Sequence, residues 1–188
     1  MKFVDNSIFE KADTKSVFPE IVAFENCIFR NCDFSDANLS GFSFIDCRFE
    51  NCNLSLIKIN NTTFNQTKFV SCKMLGMKFE NCNPYLFEVQ FTTCTLQLSS
   101  FYKMKLRKVS FKDCILHEAD FTEADLTEAI FQNCDLEASV FENTNLVKTD
   151  FRTSYNYNIH PESNRMKGTR FSRDGIEGLL YRYDIQIE

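Results

Sequence analysis

The chain has little of what makes hinges, membrane anchors or catalytic centres. Among 188 residues there are only five glycines and three prolines, none gathered into a flexible linker, so one domain is expected. No apolar run approaches the roughly 20 residues that a membrane helix needs. Met1-Lys2-Phe3 leads into Asp5 and Asn6 without the apolar core of a signal peptide, so the expected location is cytoplasmic. The only histidines are His117 and His160, and a Ser-His-Asp or Cys-His arrangement would have to gather its partners by chance. No glycine-rich loop could cradle a phosphate. These absences exclude the common enzyme classes, and no cofactor and no metal are expected.

What is present is a period. A large apolar residue returns every fifth position, from Phe24 through Phe29, Phe34, Leu39, Phe44 and Phe49 to Phe79, and again from Phe91 through Leu96, Phe101 and Leu106 to Phe151. Five fits neither the 3.6 of a helix nor the 2.0 of a strand, so the unit must turn a corner each time. Two residues before each large one stands a small one, as at Ala37, Thr62, Ser99, Ala119, Ala124, Ala129, Ser139 and Thr149, and both are expected to point inward.

Runs such as Ala119-Asp120-Phe121-Thr122-Glu123 and Ala124-Asp125-Leu126-Thr127-Glu128 resemble the A-(D/N)-L-x-x consensus of the pentapeptide-repeat family. The resemblance implies an all-β fold, a right-handed quadrilateral β-helix in which four pentapeptides make one square coil, here followed by a short C-terminal α-helix. The recurrence of Phe-x-x-Cys at Phe29, Phe49 and Phe69, and again at Phe91, Phe111 and Phe131, supports a coil of 20 residues independently. Between the two series the step is 22, which places a small insertion near residues 83–85, with Pro84 in a bulge because it lacks an N–H for the ladder. The expected organisation is an N-terminal cap over 1–21 anchored by Phe3, Ile8, Phe9 and Phe18, a β-helix over 22–153, and a final irregular coil with helix and tail over 154–188. Stability in such a stack comes from neighbouring rungs.

All nine cysteines fall at the small inward position or its equivalent, and Cys32, Cys52, Cys72, Cys94, Cys114 and Cys134 form one column. Parallel side chains on rungs about 4.8 Å apart are poorly placed for an S–S bond. An odd count also argues against a disulfide framework. A metal or redox ladder is the competing reading, but no histidine joins the column and a dry wall suppresses thiol reactivity, so the cysteines are read as small buried apolar residues.

The outer surface carries one signal. From Asp113 to Asp150 there are ten acids, Asp113, Glu118, Asp120, Glu123, Asp125, Glu128, Asp135, Glu137, Glu142 and Asp150, against Lys148 alone, a local net of −9 in a chain whose formal net is −5. Lys103, Lys105, Arg107, Lys108 and Lys112 form a basic band just upstream, so the rod is expected to be polar along its axis. Such a field repels nucleic acid, excluding direct nucleic-acid binding, and attracts a basic nucleic-acid-binding surface on another protein. Beyond Phe151, Asp174 and Glu177 are spaced as a capping box, and Ile176, Leu179, Leu180 and Tyr183 follow at helical spacing before an alternating tail with Ile185 and Ile187. An open solenoid end needs covering, and these six apolar residues are expected to join two copies as a homodimer. The ending is similar to the terminal module of quinolone-resistance (Qnr) type proteins. That resemblance implies a non-enzymatic DNA mimic bound to DNA gyrase or topoisomerase IV; the alternative is an interaction scaffold with another partner.

Overall fold

The computed structural model describes residues 2–11, 21–183 and 185. Each five-residue unit is a short extended stretch followed by a corner. At the corner, two residues after each large apolar one, the backbone enters the left-handed region: Asn26 (φ 51°), Asn31 (52°), Asp36 (57°) and Gly41 (77°) turn four successive corners. Asn and Asp tolerate this region better than other side chains, which explains their frequency there. Later corners use Lys103, Lys108, Glu118 and Glu123 instead.

Four corners close a coil, and successive coils stack as parallel rungs. One sheet runs β1 (Lys2–Asp5), β3 (Ile21–Glu25), β5 (Ser43–Ile45) and β7 (Thr63–Asn65). A second runs β2 (Ile8–Glu10), β4 (Ile28–Arg30), β6 (Arg48–Glu50), β8 (Thr67–Val70), β9 (Val89–Thr92), β10 (Ser110–Lys112) and β11 (Ile130–Gln132). Register follows the sequence period, with Phe29 opposite Phe49, Phe69 opposite Phe91, and Phe111 opposite Phe131. The remaining two faces are tied by single parallel bridges, such as Ile115 to Asp135 and Ser100 to Asp120. The insertion lies where expected. The Asn83 N–H still bonds Thr62 O and the Glu88 N–H bonds Phe64 O, while 84–86 bulge outward with Tyr85 and Leu86 exposed, and Phe87 turns back to pack on the core beside Phe79.

Alternating Phe and Leu after residue 91 puts phenylalanine on opposite faces of the square. Phe101, Phe121 and Phe141 stack with centroids 5.0 Å apart, and Phe111, Phe131 and Phe151 stack at 4.8 Å. The two columns meet edge to face, as Phe121 meets Phe131 at 5.7 Å and 87°, an arrangement that suits the aromatic quadrupole. At the small inward positions, hydroxyls donate to main-chain oxygens of the preceding coil: Thr62 Oγ1 to Leu39 O (2.8 Å) and Ser99 Oγ to Met74 O (2.9 Å). Cysteine Sγ takes the same role more weakly, as Cys52 does to Phe29 O at 3.3 Å, so these thiols are weak donors as well as small apolar fillers. All nine are free and buried, and burial pushes the Cys47 thiol up to about 12 and that of Cys82 up as well.

The ends differ from expectation. In the described part of 1–21, β1 and β2 are two sides of one coil, with Phe9 opposite Phe29 and stacked on it at 5.0 Å, so the stretch expected as an N-terminal cap already carries coil strands; Phe18 lies outside the described residues. At the other end the ladder continues to Asp150 opposite Arg170. A single helical turn, α1 (Glu177–Leu180), follows. The expected capping box does not form: Ile176 is the N-cap and no side chain caps it. Docking positions the turn instead. The Ile159 N–H bonds Gly178 O at 2.9 Å, and a Cβ on Gly178 would lie 2.1 Å from Tyr157 O, so only glycine permits this approach.

Candidate interaction surface

The register distributes the ten acids over all four faces. Asp125 and Glu128 continue the face of the first sheet, and Asp113 and Asp150 lie beside the second. Glu118, Asp135 and Glu137 share the bridged face that includes Ile115, while Asp120, Glu123 and Glu142 share the face that includes Ser100. Because residues 20 apart stack, the basic band sits one rung above part of the acidic belt and pairs with it. Lys103 Nζ lies 3.4 Å from Glu123, Arg107 Nε 2.6 Å from Asp125, and Lys108 Nζ 3.8 Å from Glu128. Lys148 reaches Glu128 from the other side at 3.3 Å, Arg182 holds Glu142 at 2.7 Å, and Arg152 and Arg170 flank Asp150. The expected axial polarity is therefore blunted. Among the described residues, Asp113, Glu118 and Asp120 form no ion pair.

The pairs matter for charge more than for stability, since exposed ion pairs contribute about 0–1 kcal/mol. Asp150 is held below the usual carboxylate range by its hydrogen bonds from Arg152. For Asp125 burial works the other way, but the hydrogen bonds from Thr127 and Arg107 outweigh it and the carboxyl is again lowered.

Sequence reasoning missed one constellation. His117 Nε2 stands 2.9 Å from Asp135 Oδ2 and 3.9 Å from Glu137 Oε2, while its Nδ1 faces Gln97 Nε2 at 3.3 Å. Asp135 Oδ1 accepts from Asn156 Nδ2 (2.8 Å) and from the Glu137 N–H (3.3 Å). Burial opposes ionisation of Asp135, and the contacts with His117 and Asn156 overcome it, so this carboxyl too is lowered. The signal was available: Gln97, His117 and Glu137 are spaced by one coil and occupy one column.

At the C-terminal end, Ile176 is 46% exposed, Tyr183 49% and Ile185 54%, with Leu180 partly buried. Leu179 instead packs against the core, so it serves first as cover for the last coil. Ile187 lies outside the described residues.

Five-residue units that turn a corner each time, stacked coil on coil around an aromatic core with the charged side chains on the outside, define a parallel β-solenoid. The chain belongs to the pentapeptide-repeat family: the model of the pentapeptide repeat region matches residues 22–84, 42–116, 84–158 and 105–179. Among solved structures it is similar to QnrB1, a plasmid-mediated fluoroquinolone resistance protein. A trypsin-treated form of QnrB1 is 19% identical over 100% of both chains with a TM-score of 0.64. The full-length form is also 19% identical, over 98% of this chain and 100% of that one, with a TM-score of 0.58. At this identity the likeness shows the fold. No curated protein matches the chain in sequence. Among the described residues no helix is long and apolar enough to cross a membrane.

Proposed function

We propose that the chain is a non-enzymatic homodimer, joined at its C-terminal ends, whose acidic half imitates DNA phosphates and binds a type II topoisomerase, DNA gyrase or topoisomerase IV, altering its quinolone sensitivity. One observation carries this reading: ten acids against Lys148 between Asp113 and Asp150, with Asp113, Glu118 and Asp120 outside any ion pair among the described residues. The resemblance of coil and ending to the Qnr type supplies the partner. Joining two C-terminal ends would bring the unpaired acids of two belts toward the two-fold axis, where a mimic of a continuous duplex needs its charge.

A gyrase supercoiling assay, with and without a fluoroquinolone, tests the reading, paired with competition against DNA. Affinity should fall steeply with salt, because long-range attraction is screened within about 8 to 10 Å at physiological ionic strength. Reversing the exposed Glu118 and Glu137 to Lys should abolish competition, whereas reversal of the distant, exposed Glu10 should leave it intact. Asp135 is retained because its carboxylate holds Asn156 and the Glu137 N–H. A folded Glu118/Glu137 double variant that competes as well as the unaltered protein would sink the mimic. The second reading, a scaffold for another protein, is favoured by the cations that neutralise Glu123, Asp125, Glu128, Glu142 and Asp150.

A further inference from the structure

The His117 constellation is arranged in a way that a simple ion pair does not need. Nε2 is sealed from solvent and lies 2.9 Å from Asp135 Oδ2, yet makes no aligned hydrogen bond with it. The ring nitrogen faces the gap between two carboxylates, Asp135 on one side and Glu137 on the other. Each inner group also has its outer atom engaged: Nδ1 by Gln97, and Asp135 Oδ1 by Asn156 and a main-chain N–H. What remains unengaged is one imidazole nitrogen and two carboxylate oxygens, all within 4.8 Å of one another.

We infer that His117, Asp135 and Glu137 form a binding site for a first-row divalent transition ion, with Zn²⁺ its best probe. Zn–N and Zn–O bonds of about 2.0–2.2 Å set the edge of a tetrahedron at roughly 3.4 Å. The nitrogen-to-oxygen separations of 2.9 and 3.9 Å bracket that edge and the two carboxylate oxygens lie within 4.8 Å of each other, so rotamer adjustments of side chains on adjacent rungs would close the site. One nitrogen and two oxygen donors, without a thiolate, favour Zn²⁺, Mn²⁺ or Co²⁺ over Cu⁺. Three protein ligands leave a fourth position open to water. Coordination through Nε2 requires the ring proton on Nδ1, and a flip of the Gln97 amide would present its oxygen as the acceptor, the outer-sphere contact typical of metal-bound histidine. A neutral ring then only shifts its proton between nitrogens, while an imidazolium ring releases one. The column position explains how a repeat can build such a site: His117 and Glu137 are equivalent residues of successive coils, and Asp135 lies two residues before Glu137 on the same face.

The test is calorimetric titration of the full-length reduced protein with ZnCl₂, repeated with Co²⁺ and read by absorption. One saturable site per chain is expected, with Co²⁺ d–d bands and no thiolate-to-metal charge-transfer band. His117→Ala should lose the site, and Gln97→Ala should weaken it by about 10- to 100-fold, the usual effect of removing an outer-sphere partner. Both side chains point outward, and circular dichroism verifies that each variant keeps its fold. Should a variant fail to fold, Glu137→Gln, altered at an exposed carboxylate, serves as the replacement and should lose the site. Absence of saturable binding by the unaltered protein, binding that survives His117→Ala, or a thiolate band would overturn the assignment.

Discussion

Replacing Phe121 by Ala removes one ring from the middle of a five-ring cluster. The side chain has no exposed surface, stacks on Phe101 and Phe141 at 5.0 Å, and meets Phe111 and Phe131 edge-on at 6.0 and 5.7 Å. Truncating a buried Phe costs about 3–5 kcal/mol, the upper end applying where neighbours cannot collapse into the cavity. Here they are constrained on both sides: the Phe101 N–H bonds Asp120 O and the Phe121 N–H bonds Val140 O, so each ring is held at its own rung. For a chain of this size, such a loss lowers Tm by about 6–20 °C. Urea unfolding followed by circular dichroism supplies the free energy. Thr122→Ala is the control, because that side chain points out and its N–H bond to Asp120 Oδ1 survives the substitution; it should change stability by less than about 0.5 kcal/mol. Equal destabilisation by the two substitutions would show the inward register to be wrong.

Gly178→Ala would drive a Cβ against Tyr157 O, so it should unseat α1 and, if the dimer is C-terminal, give a monomer by light scattering while the β signal persists. The nine thiols should react slowly with a water-soluble reagent in the native protein and rapidly in denaturant; fast native labelling of the Cys32 column would contradict its burial. Because the Asp150 carboxyl is lowered in the folded state, its contribution is present above the unfolded value of about 3.9 and is lost as pH falls through the folded value. Asp150→Asn should therefore lose less stability than the unaltered protein between pH 5 and pH 2, each an approximate bound on that window, as read from urea midpoints; an unchanged difference would remove the Arg152 argument.

The repeat made the core legible because a solenoid reduces tertiary structure to arithmetic. Once the period was five and the coil 20, Phe29, Phe49 and Phe69 had to stack, and the two extra residues had to leave the ladder near Pro84. The ends resisted the same arithmetic. Phe9 stacks on Phe29 although few residues before it keep the period, because a terminal rung needs only one neighbour to cover one side of its ring. Asp174 and Glu177 have the spacing of a capping box, yet the turn is set by the tight seat of Gly178 on Tyr157, a tertiary constraint that overrides local capping.

The surface was only half legible, and the reason is directional. Comparing each acid with the residue 20 positions later finds Asp120 over Val140 and Asp125 over Asn145, and places the acids apart from other charges. Comparing each with the residue 20 positions earlier finds Lys103 beside Glu123 and Lys108 beside Glu128, and the basic band becomes the counter-charge of the belt. Arg107 reaches Asp125 across 18 residues and Arg182 reaches Glu142 across 40, which a comparison of residues one coil apart does not capture. A charge count along the chain therefore overstates the field of the rod. The acids that still shape that field are those whose column holds no cation one rung away. Glu118 follows Leu98 and precedes Ala138 in its column, and Asp113 and Asp120 likewise have no cation one rung away, so on these three faces the acidic charge is unopposed along the rod axis.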